Sequence, residues 1–160
     1  MLEKVVLAFL GNPALDSRCI NMSRTLVDAG CEVVLLHEKS DQDVRFPLDI
    51  RLEAVNNGGS KSGIQRYWKW HKGVKKHLVK ITPDIAIAGD LFSLGAIGEN
   101  KSINRKIFDS RELYSKMAGL SVKPFQQLFW SWFERKYITA IDSILVTADG
   151  DRDFLINRYG

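Results

Sequence analysis

The stretch Lys4-Val5-Val6-Leu7-Ala8-Phe9-Leu10, closed by Gly11-Asn12-Pro13, decides how the chain reads. It is a continuous apolar run with β-branched residues, and it ends on turn formers. A strand buried on both faces has this signature, and such strands belong to parallel sheets covered by helices. Working outward, Ile20, Met22, Leu26 and Val27 fall near helical spacing between Ser17 and Ala29, with Gly30 as a natural stop. Cys31–His37 (CEVVLLH) reads as a second strand. Asp49–Val55 (DIRLEAV) reads as a third, shorter and alternating, which predicts a place near a sheet edge.

After the loop Asn56-Asn57-Gly58-Gly59-Ser60, the pattern predicts a long helix from about Gly63 to Ile81, stopped by Thr82-Pro83. Asp84–Ala88 is a fourth strand, followed by a helix over Leu91–Ile97 with Asp90 as its N-cap. Lys106–Phe108 is a short fifth strand. Asp109-Ser110-Arg111-Glu112 has the form of a capping box, with Asp at the N-cap and Glu three residues on. A helix from Pro124 to about Ala140, a sixth strand at Ser143–Thr147 and a last helix from Asp149 to Tyr159 complete the chain. The alternation predicts an α/β fold: a Rossmann-like, doubly wound, mostly parallel sheet of about six strands with right-handed crossovers.

Composition agrees. The 160 residues are 45% hydrophobic and 26% charged, which fits one domain over 1–160 and excludes wholesale disorder. A chain of this size buries roughly two thirds of its unfolded surface, so it needs no disulfide or metal to fold. The two cysteines, Cys19 and Cys31, form no CxxC or Cys/His cluster, so no zinc site is expected and a reducing compartment is. No apolar run approaches the ~20 residues of a membrane span, and Glu3 together with the short run Val5–Leu10 argues against a signal peptide. The expected location is cytoplasmic.

In a doubly wound sheet, ligands bind at the carboxyl ends of the strands. That rule selects Gly11–Arg18, Gly89–Leu94 and Asp109–Glu112. The chain has no GxGxxG after its first strand, no GxxxxGK[ST], no GxSxG and no HExxH, which argues against the corresponding dehydrogenases, P-loop NTPases, hydrolases and zinc proteases. Gly11 and Asn12 are either a plain βα turn or an anion-facing loop at a helix start. Arg18 is unexpected in a first helical turn, where the dipole disfavours cations; a phosphate or Asp16 would account for it. Asp90 is either a cap or a ligand for an acceptor hydroxyl, the cap being the commoner role. Glu112 is accounted for by the capping box, whereas Arg111 is not.

Taken together, four pieces in order resemble family-4-type glycosyltransferases of the GT-B fold. Gly11-Asn12-Pro13-Ala14-Leu15-Asp16-Ser17-Arg18, with Leu26 to Val33 after it, resembles their opening "D-x-R … L-x-x-x-G-[HC]-E-V". Ala88-Gly89-Asp90-Leu91-Phe92-Ser93-Leu94 is similar to "A-H-D-L-x-x-L", and Ile107 to Tyr114 to "V-Y-D-[AS]-H-E-L-Y". Glu134, Ala140–Thr147 and Tyr159-Gly160 match the closing pattern. The resemblance implies the N-terminal, acceptor-side half of a GT-B enzyme, without the donor-binding C-terminal domain. It implies retaining transfer of a hexosyl group from a nucleotide-diphosphate sugar to a glycan or lipid-linked acceptor. No metal and no covalently bound cofactor are implied, and the half alone is expected to be inactive. Gly89 and Arg111 stand where relatives often carry histidine; glycine cannot replace it chemically, and arginine cannot serve as a base near neutral pH.

Charge adds a second theme. No acidic residue lies between Glu53 and Asp84, a gap that holds Lys61, Arg66, Lys69, Lys72, Lys75, Lys76 and Lys80. At about 100° per residue, Ile64, Tyr67, Trp68, His71, Val74 and Leu78 share one face of the helix. Arg66, Lys69, Lys72, Lys76 and Lys80 lie on the opposite arc. That arc is either an ordinary solvated face or a patch for anionic lipid, giving peripheral contact with the inner membrane face. A stand-alone module binding nucleic acid through the same helix is the alternative reading, although the family resemblance leads us to expect no nucleic acid. In the last aromatic stretch, Phe125, Leu128, Phe129 and Trp132 form the expected core stripe, and Trp130 and Tyr137 fall off it.

Overall fold

The computed structural model describes residues 2–40, 44–56, 63–111 and 124–159. Six strands form one sheet: β1 (Lys4–Phe9), β2 (Glu32–Glu38), β3 (Arg51–Val55), β4 (Ile85–Ala88), β5 (Arg105–Ser110) and β6 (Ser143–Val146). Their order is β3-β2-β1-β4-β5-β6, and all five pairings are parallel. The helices are α1 (Ser17–Asp28), α2 (Ile64–Ile81), α3 (Leu91–Gly98), α4 (Pro124–Ile138) and α5 (Asp149–Tyr159). This is the expected open, Rossmann-like α/β sheet, with its strand order reversing between β1 and β4.

The period-2 geometry of a strand splits the first stretch between two cores. Val5 and Leu7 pack with Cys19, Leu35 and Ile87 beneath α1. Val6 and Ala8 join Val34, Leu36, Trp70, Leu94 and Phe108 beneath the helices of the other face. Both sides of β1 are therefore dry, as its continuous apolar run predicts. The edge expectation for Asp49–Val55 also holds: β3 is terminal, and an Arg51–Glu53 ion pair guards it. The fifth strand is longer than expected and takes in Asp109 and Ser110.

Two helices sit differently from their sequence reading. On α2 the buried residues are Trp70, Val74, Leu78 and Ile81, whereas Ile64 and Trp68 are exposed at 80% and 56%. The core-facing line is thus rotated towards Trp70. On α4 the stripe expected inside lies outside: Phe125, Leu128, Phe129 and Trp132 are all exposed. Tyr137 and Ile138 are buried, and Trp130 and Phe133 pack against the core. Gly95 of α3 makes this seat possible, since a Cβ there would stand 2.7 Å from the Phe133 ring.

Glu134 points inward with them and is fully buried; Oε2 accepts from the Tyr159 hydroxyl at 2.8 Å, and Oε1 has no partner among the described residues. Burial raises its pKa above the usual 4.5. The native state therefore holds this proton at pH values where the unfolded chain has released it. The stability this group contributes is fullest below about pH 4.5 and is lost as pH rises through the native value. Glu134→Gln keeps a group that can accept from Tyr159, and it is expected to remove this fall. A set of thermal melts from pH 4 to 8 checks it: the native protein should lose more of its Tm across the range than the variant.

Candidate active site at the strand ends

Each strand-end loop is built by local capping. After β1, Gly11 turns the chain, and the Asn12 side chain accepts from the Ala14 amide at 3.0 Å, opening a 3₁₀ turn at Pro13–Leu15. Asp16 then caps α1, accepting from the Cys19 amide at 2.7 Å. Gly11 and Asn12 thus form a structured turn, and the start of α1 already holds a carboxylate. After β4, Gly89 packs against β1, its amide donating to the Ala8 carbonyl at 2.8 Å. A Cβ at Gly89 would stand 3.0 Å from that carbonyl oxygen, so a histidine here would require β1 to give by a few tenths of an ångström.

Asp90 lies where the strand order reverses. One oxygen accepts from the Leu10 amide at 2.6 Å; the other accepts from the Ser93 amide and hydroxyl, both at 2.8 Å. The Trp70 indole donates to the same Ser93 hydroxyl at 3.1 Å. Asp90 is therefore the cap of α3 and also ties β1 to β4. Burial raises its pKa, against the pull of the Leu10 and Ser93 donors.

The arginines have partners that sequence spacing could not reveal. Arg18 reaches across from α1 to Asp109 at the end of β5, with Nε at 3.1 Å and Nη2 on the other oxygen. Its carboxylate partner is thus Asp109 and not Asp16, its neighbour in sequence. Arg111 donates through Nε to Asp109 at 3.0 Å and through Nη1 to Asp16, and it lies 4.7 Å over the Phe9 ring. Burial opposes the charge on Arg111, but its hydrogen bonds to Asp16 and Cys19 outweigh it and raise the pKa. Burial also pushes the Cys19 thiol up to about 12, with the Asp16 charge adding to it, so it is not a thiolate nucleophile near neutral pH.

Asp109 is correspondingly not a helix N-cap. It is a wholly buried strand residue whose carboxylate is shared by two guanidiniums. The Glu112 half of the expected capping box lies outside the described residues.

Asp90, Asp109 and Arg111 line a cavity of about 210 Å³ together with Phe9, Leu10, Leu91, Phe92 and Phe108. It combines aromatic walls with charged groups held by their neighbours, an arrangement able to hold a polar ring and orient its hydroxyls. A larger cavity of about 390 Å³ lies between β6, α5 and the end of α4, away from these strand ends. The basic residues of α2 are elsewhere again. Lys72, Lys76 and Lys80 are exposed and Lys69 is half-buried. Arg66 differs from them, for its guanidinium binds the Glu38 carboxylate through Nε at 2.7 Å and through Nη2.

The fold defines the class: a Rossmann-like α/β domain with the architecture of one half of a GT-B fold. Solved structures of that architecture match it over nearly its whole length. Sucrose-phosphate synthase from Thermosynechococcus elongatus matches 97% of this chain at 14% identity and a TM-score of 0.75. UDP-GlcNAc 2-epimerase from Methanocaldococcus jannaschii matches 97% at 14% identity and 0.65. MurG from Acinetobacter baumannii matches 91% at 10% identity and 0.55. The chain spans only 45%, 42% and 42% of those proteins respectively. No protein-family model matches the chain, and no curated protein does.

Proposed function

We propose that this chain is the acceptor-side half of a nucleotide-sugar-dependent glycosyltransferase of the family-4 type. In this reading it works with a donor-side domain and transfers a hexosyl group, with retention, to a glycan or lipid-linked acceptor. The strand-end cavity at the β1/β4 switch point carries the reading. Its volume is below the roughly 300–1,000 Å³ of drug-sized sites, and one terminal sugar unit suits it. Phe9 and Phe92 offer apolar surface for a sugar ring, while Arg111, held in place by the buried Asp109, offers a donor for its hydroxyls. The overlay of nearly the whole chain on less than half of sucrose-phosphate synthase supports the assignment to one half.

The residues of this half bind and orient. Asp90 is engaged with Leu10 and Ser93 and acts as a positioning residue for the cavity wall. The barrier would be lowered mainly by stabilising the leaving phosphate in the cleft between the halves, with the donor-side domain contributing that charge. Lys72, Lys76 and Lys80 support peripheral contact with anionic membrane, which would bring a lipid-linked acceptor to the cavity. Among the described residues no helix is long and apolar enough to cross a membrane.

The test uses the two-domain enzyme. Arg111→Lys keeps the charge but loses the planar fork that spans Asp16 and Asp109. It is expected to raise KM for the acceptor about tenfold, or about 1.4 kcal/mol, with KM for the nucleotide sugar unchanged. A change confined to the donor KM, or turnover by the 160-residue chain alone, would overturn this assignment of halves. Steeply salt-sensitive binding of oligonucleotides without any transfer would instead favour the nucleic-acid module.

A further inference from the structure

The outward face of α4 carries large apolar side chains that stay exposed. Trp130, Phe133, Tyr137 and Ile138 already close α4 onto the core, yet Trp68 of α2 and Phe129 and Trp132 of α4 stay exposed at 56%, 45% and 55%. Between the two helices lies a groove of about 240 Å³, walled by Tyr67, Trp68, Phe92, Phe129, Trp132 and Phe133. Large aromatic surface left in water around a concavity marks an interaction site.

The rim names the partner's charge. The Lys72 ammonium lies 3.6 Å over the Trp68 ring and that of Lys136 lies 5.2 Å over Trp132. Among the described residues no carboxylate lines the groove, and nearby Glu99 is engaged by Lys75 at 2.7 Å and by the Tyr137 hydroxyl at 2.7 Å. A cationic rim around an aromatic slot fits a molecule with an anionic head and an apolar tail.

Nucleic acid fits less well, because stacking platforms need free ring faces. Here Tyr67 stacks on Phe92 at 4.4 Å, Trp130 meets both edge-on at 5.1 Å, and lysines sit over the outer indoles. Phe92 is moreover a wall of both the groove and the strand-end cavity.

We propose that the α2/α4 groove seats the hydrocarbon chain of an anionic membrane lipid, with its head group held at the lysine rim. This rests on the lipid-linked-acceptor reading and adds the place where the lipid part is held. The experiment mixes the 160-residue chain with phosphatidylglycerol vesicles whose acyl chains carry bromine, and follows tryptophan emission. Bromine-dependent quenching is expected in these vesicles and not in phosphatidylcholine ones.

Trp68→Ser with Trp132→Ser should weaken vesicle binding about tenfold or more and abolish most of the quenching. Both side chains are largely exposed, and circular dichroism checks that the fold is kept. Full-affinity binding by this double variant, or emission indifferent to bromine, overturns the proposal in favour of contact through lysines alone. Binding of single-stranded oligonucleotides with none to vesicles overturns it too. Intact quenching in a two-domain enzyme that fails to glycosylate any lipid would overturn the acceptor reading while leaving the groove in place.

Discussion

Replacing Asp109 by alanine is expected to destabilise the protein by about 3–5 kcal/mol, the range for removing one partner of a buried ion pair. Its carboxylate is wholly buried at the end of β5 and holds both Arg18 and Arg111. Without it, Asp16 is left as the carboxylate partner of Arg111, while Arg18 loses both its hydrogen bonds. Arg18 is one-third exposed and can turn to water, which places the result near the lower end of the range. For a chain of this size a loss of 3 kcal/mol lowers Tm by roughly 6–12 °C. Urea unfolding with an unchanged m-value is the measurement. A loss below about 1 kcal/mol would mean that the carboxylate does not hold the arginines. Pairing Asp109→Ala with Arg18→Met should be strongly non-additive, because the second change removes a cation that the first leaves unmatched.

Trp70→Ala is expected to cost about 3–5 kcal/mol, as for other buried large aromatics. Trp70 is fully buried on α2, and its indole starts a relay to Ser93, Asp90 and the Leu10 amide. Trp70→Phe separates the two contributions. It retains most of the packing but leaves the Ser93 hydroxyl without its donor, for about 1–3 kcal/mol. Because Asp90 lines the strand-end cavity, this milder variant should also weaken acceptor binding. Equal stability of Trp70→Phe and the native protein would show that the relay adds nothing to the packing.

Much of the fold was legible in local sequence. The two-faced strand Lys4–Leu10, the capping role of Asp90 and the guarded edge strand Arg51–Val55 all follow from neighbouring residues. The phase of α4 was not legible. Apolar and aromatic side chains occur nearly all round it, so periodicity picks no unique inward line. The outcome depends on Gly95 and on the Tyr67–Phe92 stack, which lie on other elements. On α2, likewise, the line through Ile64 and Trp68 is apolar yet both side chains are exposed, and Trp70 takes the core instead.

The candidate site divides the same way. The rule that ligands meet strand ends selected the loops around Gly11, Asp90 and Arg111; Asp90 and Arg111 line one cavity with Phe9 and Leu10, whereas Gly11, Asn12 and Arg18 are not among its walls. Their partners were another matter. Asp109 read as a cap because Glu112 follows it at capping-box spacing, yet its carboxylate is claimed by Arg18, 91 positions away. Arg111 closes on Asp16 over 95 positions. By itself, then, the sequence determined the elements and their parallel arrangement, because strand period, helix caps and turn residues act over a few neighbours. Only the tertiary structure decided which aromatic face stays outside and which carboxylate each arginine meets, because those choices are settled by packing and charge between segments far apart in the chain.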